Sequence, residues 1–77
     1  MPRLVPVRPE KLIKFFERMG WRKSKRGPGD HQAMRKEGYS RPVIIPDYRE
    51  VPKFIIKANL ATAHISLDEY FSVMSQI

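Results

Sequence analysis

Apolar residues recur at helical spacing near the start of the chain, where they form one stripe: Leu12, Phe15, Phe16 and Met19. Pro9 suits the first position of a helix, and Gly20 is placed to end it in a left-handed conformation. We therefore predict a first helix that begins at Pro9 and ends at Gly20.

Three short segments after this helix have the features of strands. They are Trp21 to Lys25, Gln32 to Arg35 and Arg41 to Ile45. Turn residues separate them, first Gly27-Pro28-Gly29-Asp30 and then Glu37-Gly38. If Met34 faces the core, strand alternation places three side chains on the opposite, solvated face: His31, Ala33 and Arg35.

Two more helices are predicted in the last third of the chain. Pro52 opens the first, whose stripe comprises Ile55, Ile56, Asn59, Leu60 and Ala63. We expect Asn59 to make a satisfied polar contact, and His64 to end this helix at positive φ. A capping box at Ser66 to Glu69 then starts a short helix with Leu67, Tyr70, Phe71 and Met74 on one face.

The predicted order is helix, three antiparallel strands, helix and short helix. Hairpin connections make neighbouring strands antiparallel, and each main helix has one apolar stripe to bury. We expect an α+β fold with the helices on one face of the sheet, forming a single domain over residues 1–77.

Charge points to an anionic partner, because 15 Lys and Arg residues against 8 acidic ones give a formal net charge of +7. Nucleic acid, a membrane surface and an acidic protein all fit. Apolar runs are too short to span a bilayer, and the first residues lack an apolar segment of signal-peptide length. We expect a soluble cytoplasmic protein, without disulfides because the chain has no cysteine.

The candidate chemistry lies between Lys23 and Lys36, where basic residues surround a histidine. His31 follows the glycine-proline turn, with Lys25 and Arg26 before it and Arg35 after it. A proton-transferring group among cations is what phosphodiester cleavage requires. By itself, however, the stretch fits a basic surface hairpin better, because one histidine is weak support for a catalytic site.

Several stretches together resemble the HicA (YcfA-like) toxin family over nearly the whole chain. They are KLIKFFERMGW at 11–21, the glycine two positions before His31, VIIPDYREVPKFIIKANLATAHIS at 43–66 and DEYF at 68–71. The resemblance implies a double-stranded-RNA-binding-like α-β-β-β-α fold with an added short helix. It also implies an mRNA-cleaving toxin (an mRNA interferase) of a type II toxin–antitoxin module, neutralised by a HicB-like antitoxin.

The family's catalytic histidine corresponds to His31. Two positions depart from the family pattern, since Asp30 stands where serine is usual and His64 where glycine is usual. Asp30 could orient the histidine or repel a phosphate. The candidate RNA-contacting residues are Lys23, Lys25, Arg26, Gly29, Arg35 and Lys36.

The hypothesis that follows is metal-independent endoribonuclease chemistry without a cofactor, in which His31 takes the proton of a ribose 2′-OH. The acidic residues show no clustered metal-ligand pattern. The alternative is a non-catalytic RNA-binding module of the same fold. A protein that only docks to an acidic partner is a third possibility, and helix-turn-helix binding to DNA fits least.

Overall fold

The computed structural model describes residues 3–24 and 31–77. Its elements are α1 (Pro9–Arg18), β1 (Arg22–Lys23), β2 (Gln32–Arg35), β3 (Val43–Ile45), α2 (Lys53–Ala63) and α3 (Leu67–Met74). The three strands form an antiparallel sheet in the order β1-β2-β3. The predicted α+β architecture is confirmed.

The strands are shorter than the sequence predicts. Trp21 is not part of β1, because its backbone N–H donates to the carbonyl of Phe16 at the end of α1, and Lys25 lies outside the described residues. The third strand begins at Val43 instead of Arg41, since Pro42 has no N–H to donate to the ladder.

Both main helices pack against the same face of the sheet. The residues that form this core are Leu12, Phe15, Phe16, Trp21, Met34, Val43, Ile45, Val51, Ile56, Leu60, Ala63 and Tyr70. Ala33 points away from it but is only 2% exposed, so the expectation that it is solvated is wrong. Its methyl group is short, and the longer side chains on that face cover it, among them its cross-strand partner Ile44.

The first two helices end in the same hydrogen-bond pattern. At the end of α1, the N–H of Gly20 donates to Glu17 and that of Trp21 donates to Phe16, with Gly20 at φ +92°. At the end of α2, His64 and Ile65 make the equivalent bonds, with His64 at φ 56° and ψ 42°. The predicted positive φ of His64 is confirmed, at a cost of about 1–2 kcal/mol for an L-residue.

The third helix begins as predicted, because the backbone N–H of Glu69 donates to the Ser66 hydroxyl at 3.1 Å. Tyr70 is the residue of this helix that is buried in the core. Its ring contacts that of Phe15 edge to face, with the centroids 4.9 Å apart. The prediction that Leu67 joins the buried stripe is wrong, since 40% of its surface is exposed. Leu67 is the first residue of α3, and at this end of the helix its side chain is only partly covered by the core.

Besides Nδ1 of His31, two buried polar groups lack hydrogen-bond partners among the described residues. They are the side-chain amide nitrogen of Asn59 and the hydroxyl of Tyr70. The expectation of a satisfied contact for Asn59 is therefore wrong: its helical position faces apolar neighbours. Burial also raises the pKa of the Tyr70 phenol, because the anion would lose its hydration.

Lys36 connects the sheet to the end of the first helix. Its ammonium donates to the backbone oxygen of Met19 at 2.9 Å and lies 5.7 Å from the centre of the Tyr39 ring. A cation at the carboxyl end of a helix satisfies a free carbonyl and interacts favourably with the helix dipole. This lysine therefore has a structural role that the sequence pattern did not predict.

We expect Tyr70→Phe to stabilise the protein by about 1 kcal/mol, because it removes a buried hydroxyl that has no hydrogen-bond partner in the described part of the chain. In the parent, the Tyr70 pKa is higher in the folded protein than in the unfolded chain. The free energy of unfolding is therefore unaffected by this group below about pH 10 and falls as the pH rises above that value. The substitution should remove that part of the alkaline decline. Thermal unfolding between neutral and alkaline pH measures both effects. Tyr48→Phe, at a tyrosine that is 50% exposed, is the control and should change little. A clear loss of stability in Tyr70→Phe would mean that the hydroxyl has a partner.

We expect Lys36→Gln to lower stability by about 1 kcal/mol, which corresponds to a fall in thermal midpoint of roughly 4–8 °C. The bond to Met19 and the contact with the Tyr39 ring are both lost. Lys23→Gln is the control, since Lys23 is an exposed lysine in the same sheet, and should shift the midpoint far less. Equal shifts in the two variants would contradict a structural role for Lys36.

Candidate functional site

His31 lies immediately before β2, where the sheet register brings it to the end of β3. Gln32 pairs with Ile45, so the residues that follow β3 lie beside the start of β2. There the ring of Tyr48 meets the His31 ring edge to face, with centroids 5.9 Å apart and planes at 88°. Tyr48 follows β3 in a loop, and sequence reasoning did not select it because only the register brings it to His31.

The two nitrogens of the His31 ring differ in environment. The side chain is half-buried, and its Nδ1 is shielded from solvent with no hydrogen-bond partner among the described residues. A neutral imidazole exchanges protons through the nitrogen that a substrate can reach. The burial of Nδ1 therefore leaves Nε2 as the nitrogen suited to exchange a proton with a bound molecule.

The side chain of Gln32, the residue after His31, links the end of β1 to the start of β2. Its side-chain amide donates to the backbone oxygens of Ser24 at 2.9 Å and Ala33 at 2.8 Å. The N–H of Ser24 donates to the same Ala33 oxygen at 2.8 Å. These bonds fix the two chain segments on either side of residues 25–30, and so fix the backbone from which His31 projects.

Basic side chains gather at the opposite end of β2, around a groove of about 500 Å³ that we call the basic groove. It is lined by Arg22, Lys23, Ser24, Arg35, Lys36, Glu37 and Tyr39. Arg22 and Arg35 are direct cross-strand partners, and both are exposed. Because Met34 faces the core, Arg35 and its partner Arg22 project from the other face of the sheet.

A pair of like charges placed directly opposite each other destabilises a sheet. We therefore expect the Arg22–Arg35 pair to favour the binding of an anion, which would offset the repulsion between the two side chains. Sequence reasoning selected Arg35 but missed Arg22. The sequence shows that Arg22 lies in the first predicted strand, but its pairing with Arg35 depends on the register of β1 against β2.

The structure separates the candidate residues into two groups. Lys23, Arg35 and Lys36 come together around the basic groove, whereas His31 lies four residues from Arg35, or roughly 13 Å along the strand. Lys25, Arg26 and Gly29 lie outside the described residues, as does Asp30. Lys36 lines the groove while its ammonium is bonded to Met19.

Two features are absent from residues 3–24 and 31–77. In these ranges, no three His, Asp or Glu side chains are close enough together to hold a metal ion. No helix in the same ranges is long and apolar enough to cross a membrane.

Comparison with known proteins identifies the family. A family model described as the HicA toxin of bacterial toxin–antitoxin systems matches residues 9–65, which is most of the chain. No curated protein and no solved structure matches it. The matched range runs from the first residue of α1 to just beyond α2, and it includes both His31 and the basic groove. The chain therefore belongs to the HicA toxin family and is the toxin of a toxin–antitoxin system.

Proposed function

We propose that this toxin is an endoribonuclease that cleaves mRNA, with His31 as its catalytic base. The observation that carries the proposal is the placement of His31. Its Nδ1 is shielded beside Tyr48, and its strand leads to the exposed Arg22–Arg35 pair on the far face of the sheet. Membership of the HicA family supports an activity that harms the cell.

The reaction would use Nε2 of His31 to take the proton from a ribose 2′-OH. The 2′-oxygen then forms a bond to the adjacent phosphorus, and the bond from phosphorus to the 5′-oxygen breaks. The leaving 5′-oxygen takes a proton from water or from a lysine. General-base catalysis of this kind accounts for roughly 10²–10⁴ in rate.

The basic groove would hold phosphates that flank the cleaved bond. Arg35 and Lys23 lie too far along the strands from His31 to be placed at the scissile phosphate by the sheet alone. Lys25, Arg26 and Gly29 precede His31 closely in sequence and stay predicted contacts to the phosphate under attack. Contacts to the flanking phosphates and to the phosphate under attack would position the RNA without reading its sequence.

An antitoxin is the second partner. Toxin–antitoxin systems pair a toxin with a protein that neutralises it, and the net charge of +7 favours an acidic cover. We propose a HicB-like protein that shields His31, in the cytoplasm where mRNA is found.

A non-catalytic RNA-binding module is the competing function. The Arg22–Arg35 pair favours it, because two exposed guanidinium groups bind phosphates whether or not a reaction follows. Such a module would bind RNA and release it uncut.

We expect His31→Ala to reduce RNA cleavage by roughly 10²–10⁴ while the protein stays folded. The side chain is half-buried, so truncation should lose about 0.5–1.5 kcal/mol from the ring contact with Tyr48 and should open no cavity in the core. Cleavage of a defined RNA in the presence of a chelator and thermal unfolding should be measured together. His64→Ala is the matched control and should keep the parental rate at saturating RNA.

Parental cleavage by His31→Ala, or loss of cleavage at saturating RNA in His64→Ala alone, would contradict this assignment. A parent protein that binds RNA but forms no product would support the non-catalytic module. Unfolding of His31→Ala would show that the residue is structural.

We expect Arg22→Gln and Arg35→Gln to have opposite effects on stability and on RNA binding. Each removes one member of a like-charge pair, so the free energy of unfolding should rise slightly. RNA affinity should fall, and the slope of log K against log salt should shrink by about 0.7 for each lost contact to single-stranded RNA. Binding is measured in the His31→Ala background, so that the RNA stays intact. Arg8→Gln, at an exposed arginine at the start of α1, is the control. An unchanged slope in both test variants would exclude the basic groove as a phosphate site.

A further inference from the structure

His64 has a backbone conformation that its residue type disfavours. Among the described residues, it alone combines a side chain with a positive φ. The end of α2 repeats the hydrogen bonds found at Gly20, where glycine adopts this conformation without strain. Residues in this conformation are enriched at functional sites, which makes the His64 side chain a candidate for a role beyond ending the helix.

The ring of His64 lies beside a firmly held tyrosine. Its centroid is 5.9 Å from that of Tyr39, with the planes inclined at 38°. Tyr39 in turn contacts the buried Trp21 ring at 5.0 Å and lies under the Lys36 ammonium. The two neighbouring rings thus form a surface that is supported from the core.

These rings line a groove of about 420 Å³, which we call the His64 groove. Its lining consists of Gly38, Tyr39, Ser40, Arg41, Thr62 and His64. It has a size typical of small-molecule sites, and its lining includes a guanidinium group but no carboxylate. Tyr39 also lines the basic groove, so the two grooves adjoin.

We propose that the His64 groove is a second RNA-contact site that accepts one unpaired nucleotide of the strand held in the basic groove. Unstacked RNA bases are bound by histidine and tyrosine rings and by arginine planes, and all three are present here. The base stacks on His64, and Arg41 contacts a neighbouring phosphate. This inference rests on the proposed function, because it assigns a further contact to the same RNA.

His64→Gly separates this role from the role of ending the helix. Glycine relieves the backbone strain, so the thermal midpoint should stay the same or rise. Loss of the ring should weaken binding of a labelled single-stranded RNA by about tenfold, measured in the His31→Ala background. His64→Asn, which tolerates the left-handed conformation but has no ring, should weaken binding in the same way.

Parental RNA affinity in both His64 variants would overturn this inference and leave the nuclease proposal intact. Weaker antitoxin binding with unchanged RNA affinity would overturn it too, since the groove would then belong to the antitoxin interface. Failure of the His31→Ala protein itself to bind RNA would instead overturn the proposed function together with this inference.

Discussion

A continuous series of ring contacts holds the elements of this fold together. Phe15 meets Phe16 in α1, Phe16 meets Trp21 before β1, and Trp21 meets Tyr39 after the turn that follows β2, at centroid distances of 5.1, 6.0 and 5.0 Å. Such pairs contribute about 0.5–1.5 kcal/mol each beyond their buried area. These aromatic side chains all pack on the helix side of the sheet. The opposite face therefore carries other side chains, including charged ones.

The far face bears charges that do not help the protein fold. Arg22 and Arg35 are placed opposite each other, and the His31 ring has one shielded nitrogen that finds no hydrogen-bond partner in residues 3–24 and 31–77. A chain of 77 residues has little stability to spare. Functional sites commonly retain such arrangements, because activity can require groups that lower the stability of the fold.

The sequence predicted well those structural features that depend only on residues close together in the chain. The helix from Pro9, the positive φ of Gly20 and the Ser66 cap all follow from residues within one or two turns. Pairings between distant segments were not accessible in the same way. Tyr48 reaches His31 only through the register of β2 and β3, and the bond from Lys36 to Met19 crosses 17 positions.

Burial was predicted less well than element type. Strand alternation placed Ala33 on the correct face, but the covering of a short methyl group by longer neighbours depends on the assembled sheet. Asn59 was correctly placed on the buried side of α2, whereas the environment of its amide nitrogen, which has no partner among the residues that the structure describes, depends on how the other elements pack. For the candidate site, the sequence pattern selected His31, Lys23 and Arg35, while Arg22 required the strand pairing.

If His31 activates the 2′-OH of RNA without a metal ion, as we propose, the chemical ends of the cleavage products will reveal it. The purified protein is incubated in excess chelator with a defined RNA and with the same RNA carrying 2′-deoxy sugars, and the termini are analysed. We expect 2′,3′-cyclic phosphate and 5′-hydroxyl ends from the RNA and no cleavage where the 2′-OH is missing. Products with 5′-phosphate ends, or cleavage of the 2′-deoxy substrate, would contradict this mechanism.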